Sequence, residues 1–193
     1  MSNYKTVFFI LGILQIILGL SMIFPIITQF IFGELDSSFI SASIITIIFG
    51  VLFLLSNLQS EKKLNLQHAF LLTALSWLSV AIFGSLPFMF SKLSLSITDS
   101  FFESMSGITT TGSTIITDLN SAPKAILIWR AILQWLGGIG IIVMAITLMP
   151  IMNIGGMQLL KVSTTDGSEK ILPKTKEITI RIIIIYLILT FFF

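Results

Sequence analysis

Gly107-Ile108-Thr109-Thr110-Thr111-Gly112-Ser113-Thr114 is a run of small, mostly hydroxyl residues around a central glycine. It sits between two apolar segments, each long enough to cross a membrane. Facing lipid, its backbone N–H and C=O groups would have no partners. At membrane depth such a stretch is tolerated only where protein buries it or where it lines a water-filled cavity. As an outer Ser/Thr-rich loop it has no ion role. As a stretch returning from inside the membrane, it lines a path for a cation that has shed its water. Backbone carbonyls and threonine hydroxyls can replace a hydration shell, and glycine supplies backbone conformations closed to residues with a Cβ. No Asp or Glu lies within residues 109–114, which argues against selection by a ring of carboxylates.

The composition agrees with membrane burial. Of 193 residues, 55% are hydrophobic and only 10% charged, with a mean hydropathy of +1.03; soluble domains carry about 25% charged residues. So few charges cannot dress a water-facing surface, and the class expected is an all-α polytopic membrane protein with the lipid bilayer as its first partner. Cysteine is absent, which removes disulfides, thiolate metal sites and cysteine nucleophiles. His68 cannot build a multi-histidine metal site alone. With no histidine or cysteine near a plausible nucleophile, the reading is non-enzymatic and without a cofactor. The net charge of +2 is spread over segment ends, which gives no nucleic-acid patch. The first apolar run exceeds the roughly 7–15 residues of a signal-peptide core, so no cleaved leader is expected.

Just before the quoted stretch, Thr98 or Asp99 suits an N-cap, and Phe101, Phe102, Met105 and Ile108 recur at helical spacing. The helix implied has about ten residues, half of the roughly 20 that a span requires. Its C-terminal end carries partial negative charge, which favours a cation, and Asp99 and Glu103 lie toward its start, where anions are favoured. A half-length helix followed by a small polar return strand outlines a re-entrant pore loop. Downstream, Pro123 opens a span over residues 125–149 that stops near Pro150. Gly137-Gly138-Ile139-Gly140 gives that span a small-residue face for close helix contact. Arg130, one turn before Gln134, has two open readings: a snorkelling interfacial cation, or a partner for Glu103 behind the loop.

Upstream lie spans at residues 66–90, 39–58 and 7–32. His68 reads as interfacial, Trp77 as packing, and Pro87 as a distortion of the last turn of its span. Pro25 is expected to kink or break the first span. A short acidic turn, Gly33-Glu34-Leu35-Asp36-Ser37-Ser38, joins the first two spans. Residues 1–65 therefore form an N-terminal helix pair and 66–150 a helix–loop–helix repeat. Residues 151–177 form a cytoplasmic loop, and 178–193 the start of a further helix, which reads as cut within the span. With a cytoplasmic N-terminus, Lys5, Lys62, Lys63, Lys161, Lys170, Lys174, Lys176 and Arg181 face inward, eight of the 11 Lys and Arg. That excess favours this orientation, and the pore loop then enters from the outer face.

The residues also carry a family resemblance. Phe101-Phe102-Glu103-Ser104-Met105-Ser106-Gly107 with Ile108 to Thr114 resembles the first pore loop of the TrkH/KtrB family of bacterial potassium transporters. Gln134-Trp135-Leu136-Gly137-Gly138-Ile139-Gly140-Ile141-Ile142-Val143 resembles the helix that follows it. Asn153-Ile154-Gly155-Gly156-Met157-Gln158-Leu159, and Leu172-Pro173-Lys174-Thr175 with Glu177, resemble the TrkH branch, whose members carry an extra N-terminal pair like the one before Leu66. The resemblance implies four M1–pore-loop–M2 repeats of potassium-channel type around one pore, of which this sequence holds one and the start of a second. It implies that Thr110, Thr111, Gly112, Ser113 and Thr114 form a quarter of the selectivity filter, with the carbonyls of Thr110, Thr111 and Gly112 facing potassium. Asp99, Glu103 and Arg130 are then supports of the pore helix. It further implies potassium uptake across the bacterial cytoplasmic (inner) membrane, a cytoplasmic TrkA-type nucleotide-binding regulator and a homodimer of pore subunits. On this reading the sequence is a fragment that does not conduct alone. A small homotetrameric channel with one repeat per chain, or a non-transporting membrane scaffold, are the alternatives.

Overall fold

A computed structural model describes residues 4–34, 36–58, 66–151 and 168–192. Among the described residues the regular elements are all helices: α1 (Tyr4–Ser21), α2 (Ile23–Phe32), α3 (Ser38–Ser56), α4 (Leu66–Phe90), α5 (Ile97–Ile108), α6 (Lys124–Ile151) and α7 (Ser168–Phe192). Four segments are long and apolar enough to span a membrane: Tyr4–Phe32, Ser38–Ser56, Gln67–Phe90 and Lys124–Met144. α5 has only 12 residues. It rises roughly 18 Å, well short of the roughly 30 Å of hydrocarbon.

The first span breaks at Met22 rather than at Pro25 itself. Pro25 offers no N–H to the Ser21 carbonyl one turn back, and its ring crowds that oxygen. The Met22 N–H instead reaches Gly19 O at 3.3 Å, three residues back, and α2 resumes with Ile26 N–H on Met22 O at 3.1 Å. α4, by contrast, runs on through Pro87 to Phe90. His68 packs edge-on against the Tyr4 ring, centroids 5.1 Å apart.

Residues 1–138 form one compact unit. Lipid offers helices no hydrophobic reason to associate, so close backbone approach and polar links do that work. α1 meets α3 where Gly12 faces Gly50; a Cβ on Gly12 would lie 2.7 Å from the Gly50 oxygen. Ser43 Oγ donates to Gly19 O at 2.8 Å. Gln15 Nε2 donates to Ser79 Oγ on α4 at 2.7 Å. Around α6 the core is aromatic and aliphatic, with Trp129 wholly buried among Phe39, Phe88, Ile126 and Leu133. The Trp129 indole N–H donates to the Gly84 carbonyl of α4 at 2.9 Å, which satisfies its polar edge.

The start of α6 is capped from a distance. Pro123 precedes the helix and has no side-chain acceptor to offer. The Glu34 carboxylate takes that place, accepting from Lys124 N–H at 2.6 Å and Ala125 N–H at 3.2 Å. Glu34, which the sequence reading left in a simple acidic turn, thereby ties the N-terminal helix pair to α6.

Residues 139–193 form a second compact unit. In it α7 begins at Ser168, so the loop expected to run to residue 177 gives way to helix earlier. Lysine and glutamate are good helix formers, and the change from polar to apolar near Ile178 marks no helix start. The stretch Asn153 to Leu159 and Lys161 lie outside the described residues.

Candidate functional site

α5 is built to be short and to end in an irregular loop. Its N-cap is Ser96, earlier than Thr98 or Asp99, with Ser96 Oγ accepting from Asp99 N–H at 3.1 Å. Ser96-x-x-Asp99 is the spacing of a capping box, and such a cap contributes about 1 kcal/mol. Asp99 thus sits in the first turn, where its charge suits the helix dipole. At the other end Thr111 N–H bonds Ser106 O at 3.0 Å and Thr110 N–H bonds Gly107 O at 2.9 Å. This is a Schellman closure, with Thr110 in the left-handed position that glycine usually takes. Thr110 has φ 60°. A β-branched residue there is a real outlier, at a cost of about 1–2 kcal/mol.

Past that closure the chain turns again at Gly112, φ 78°. A Cβ there would meet Gln134 Nε2 of α6 at 3.4 Å, so α6 backs the loop directly. Further hydrogen bonds hold the stretch against α5. Ser106 Oγ donates to Ser113 O at 2.6 Å, and Thr109 Oγ1 donates to Met105 O at 2.8 Å. Thr109 has spent its only proton, so in the 2.9 Å contact between Thr109 Oγ1 and Thr111 Oγ1 the donor is Thr111. Among the described residues, nothing donates to the carbonyl oxygens of Thr110, Thr111 or Gly112, whereas Ser113 O is already engaged. Residues 110–115 are exposed in this chain.

Behind the loop the structure brings Glu103 and Arg130 together. The Glu103 side chain is fully buried, and its Oε2 accepts from Arg130 Nη1. Its Oε1 accepts from Thr114 Oγ1 at 2.6 Å and from Ile115 N–H at 2.7 Å. Arg130 Nη1 also donates to Thr114 Oγ1, and Ile116 N–H donates to the same hydroxyl at 3.0 Å. A buried carboxylate is tolerable only when paired and hydrogen-bonded, and this one has donors from α5's own return strand and from α6. Of the two readings of Arg130, the structure has the pair with Glu103. Asp99 lies outside this cluster, at the far end of α5.

α6 fits against the end of α5 without clearance. A Cβ on Gly137 would fall 1.9 Å from the Ile108 carbonyl oxygen, so only glycine lets the two backbones meet there. Sequence patterning flagged Gly137 as one of a small-residue face but could not single it out. Among the described residues no group of three or more His, Asp or Glu side chains could hold a metal ion. Thr110, Thr111 and Gly112 leave backbone oxygens without donors among the described residues, and such oxygens can replace a cation's hydration shell.

Residues 35–192 match the family model described as TrkH, cation transport protein. The Trk system potassium uptake protein TrkH of Halomonas elongata is 40% identical over 185 residues, covering 94% of this chain and 38% of that protein. The Trk system potassium uptake protein TrkH of Escherichia coli strain K12 is 35% identical over 192 residues, covering 97% of this chain and 40% of that protein. The crystal structure of the potassium transporter TrkH from Vibrio parahaemolyticus superposes with a TM-score of 0.81 at 31% identity, covering 96% of this chain and 37% of that one. The chain spans about two fifths of the length of the curated relatives it matches.

Proposed function

The chain belongs to the TrkH family of cation transport proteins, and we propose that residues 66–150 form one M1–pore-loop–M2 wall of a potassium uptake pore. In this reading Thr110, Thr111 and Gly112 turn their carbonyl oxygens to the ion, Ser113 and Thr114 complete the wall, and Glu103 and Arg130 brace it. Asp99 stabilises the start of the pore helix. The observation that carries it is the double left-handed turn at Thr110 and Gly112, which follows the end of a half-length helix. It leaves three consecutive carbonyls without donors among the described residues, while Ser113 O and the Thr114 hydroxyl are tied back. The relatives' names as potassium uptake proteins supply the ion. The same reading puts the protein in the bacterial inner membrane with its N-terminus cytoplasmic. It gives the assembled pore subunit a second copy of itself and a TrkA-type nucleotide-binding regulator as partners.

The test is Gly112→Ala in the complete open reading frame that encodes this chain, expressed in cells that lack other potassium uptake. A Cβ at φ 78° strains the turn and meets Gln134. Rubidium uptake, read per folded protein in the membrane, falls at least about tenfold, the order of one lost charge-type contact. Uptake at the parent rate sinks the filter reading and leaves a scaffold.

A further inference from the structure

Glu103, Arg130 and Thr114 form an arrangement that a simple ion pair does not require. Thr114 has one hydroxyl proton and two lone pairs. The proton goes to Glu103 Oε1, and the lone pairs receive Arg130 Nη1 and Ile116 N–H. The hydroxyl is saturated, so it has nothing left for a passing cation. Glu103 meanwhile accepts from the Ile115 amide 12 residues away, fixing where the return strand leaves the loop. With Arg130 on its other oxygen, the carboxylate is neutralised before its charge can act on an ion.

We propose that Glu103 and Arg130 are positioning residues that lock the register of the strand after the filter and hold the Thr114 hydroxyl out of the ion path. This rests on the filter reading above and adds to it the way selectivity is maintained. The network is asymmetric, which separates it from an ion pair. Position 103 must accept from two donors, and arginine accepts none. Exchanging the two charges therefore cannot rebuild it. A lysine at position 130 can keep it, because both Arg130 bonds leave one nitrogen, Nη1. The ammonium introduced by Arg130→Lys has three donors and serves both Glu103 Oε2 and Thr114 Oγ1.

The experiment measures the rubidium-to-sodium uptake ratio in the complete open reading frame, normalised to folded protein in the membrane. Glu103→Gln and Arg130→Gln each leave a buried group mispaired, and each lowers the ratio at least about tenfold. Arg130→Lys stays within about threefold of the parent, because it keeps both donors and the charge. The exchange Glu103→Arg with Arg130→Glu stays as low as the two glutamine variants. Recovery in the exchange to the level of Arg130→Lys reduces the cluster to a plain ion pair and overturns the proposal, as does a parent ratio in both glutamine variants. Should the single variants not accumulate in the membrane, Thr114→Val and Thr114→Ser carry the same question: the valine lowers the ratio more than the serine, and equal ratios overturn the proposal. Gly112→Ala run alongside separates the two ideas. If it abolishes uptake while the cluster variants keep the parent ratio, the filter reading stands and only the positioning role falls.

Discussion

Gly12 on α1 and Gly137 on α6 each bring a helix against a neighbour's backbone, but the neighbours differ. Gly12 faces the Gly50 oxygen in the middle of α3, and Gly137 faces the Ile108 oxygen at the last residue of α5, where the proposed filter loop begins. Around Gly12 the backbone is regular helix on both sides, and hydroxyls such as Thr46 return to carbonyls one turn back, Ala42 O at 2.7 Å. Around Gly137 one side is regular helix and the other is the end of α5, where the backbone turns irregular. Its polar groups depend on side chains from α5, the return strand and α6 together. A helix pair can slide by a few tenths of an ångström and keep every bond inside each helix, with Ser43 Oγ to Gly19 O the cross-link that adjusts. The loop unit has less freedom, because Glu103, Thr114 and Arg130 link α5, the return strand and α6 to one another.

The comparison breaks or holds on a pair of substitutions. Gly137→Ala has the larger effect. Its Cβ overlaps backbone that cannot rotate away, so overpacking exceeds the usual range and costs about 3 kcal/mol or more. It also shifts the end of α5, and the rubidium-to-sodium uptake ratio collapses with it. Gly12→Ala overlaps backbone too, at 2.7 Å, and costs about 1–3 kcal/mol by thermal unfolding in detergent. Its uptake ratio, per folded protein, stays at the parent value. A ratio lowered equally by both substitutions would show that the helix pair sets the geometry of residues 109–114 as strongly as α6 does.

The two regions also differed in how far the sequence disclosed them. Hydropathy located all four spans, because the bilayer leaves helix as the answer for any long apolar run. The short helix and its polar return were legible from length and residue size alone. The break at Met22 was misplaced by three residues, since proline acts on the carbonyl one turn before itself. Ser96 was missed as the cap although its spacing to Asp99 carries the signal. Glu34 was not legible at all: its cap on α6 joins residues 90 apart in sequence, and only Pro123's lack of an acceptor hinted that one was needed. The Glu103–Arg130 pair stood between these cases. The rule that intramembrane charges find partners named the candidate, while the Thr114 and Ile115 links needed the fold.

The smallest effect expected concerns strain inside the loop unit itself. Thr110 and Gly112 both sit at positive φ, but only one is glycine. Thr110→Gly removes a left-handed penalty of about 1–2 kcal/mol and adds roughly 0.5–1 kcal/mol of backbone entropy lost on folding. The Schellman bonds come from the backbone and survive the change. Stability by thermal unfolding therefore rises, by less than about 1.5 kcal/mol. The uptake ratio moves the other way, because a glycine in each turn widens the range of carbonyl directions the loop can sample. The loss stays below about tenfold, since no hydrogen bond or ligand is removed. A variant that is more stable and less selective marks Thr110 as strain kept for function. A variant that is less stable shows instead that the threonine side chain holds the loop, and the contrast with Gly112 then lies in packing.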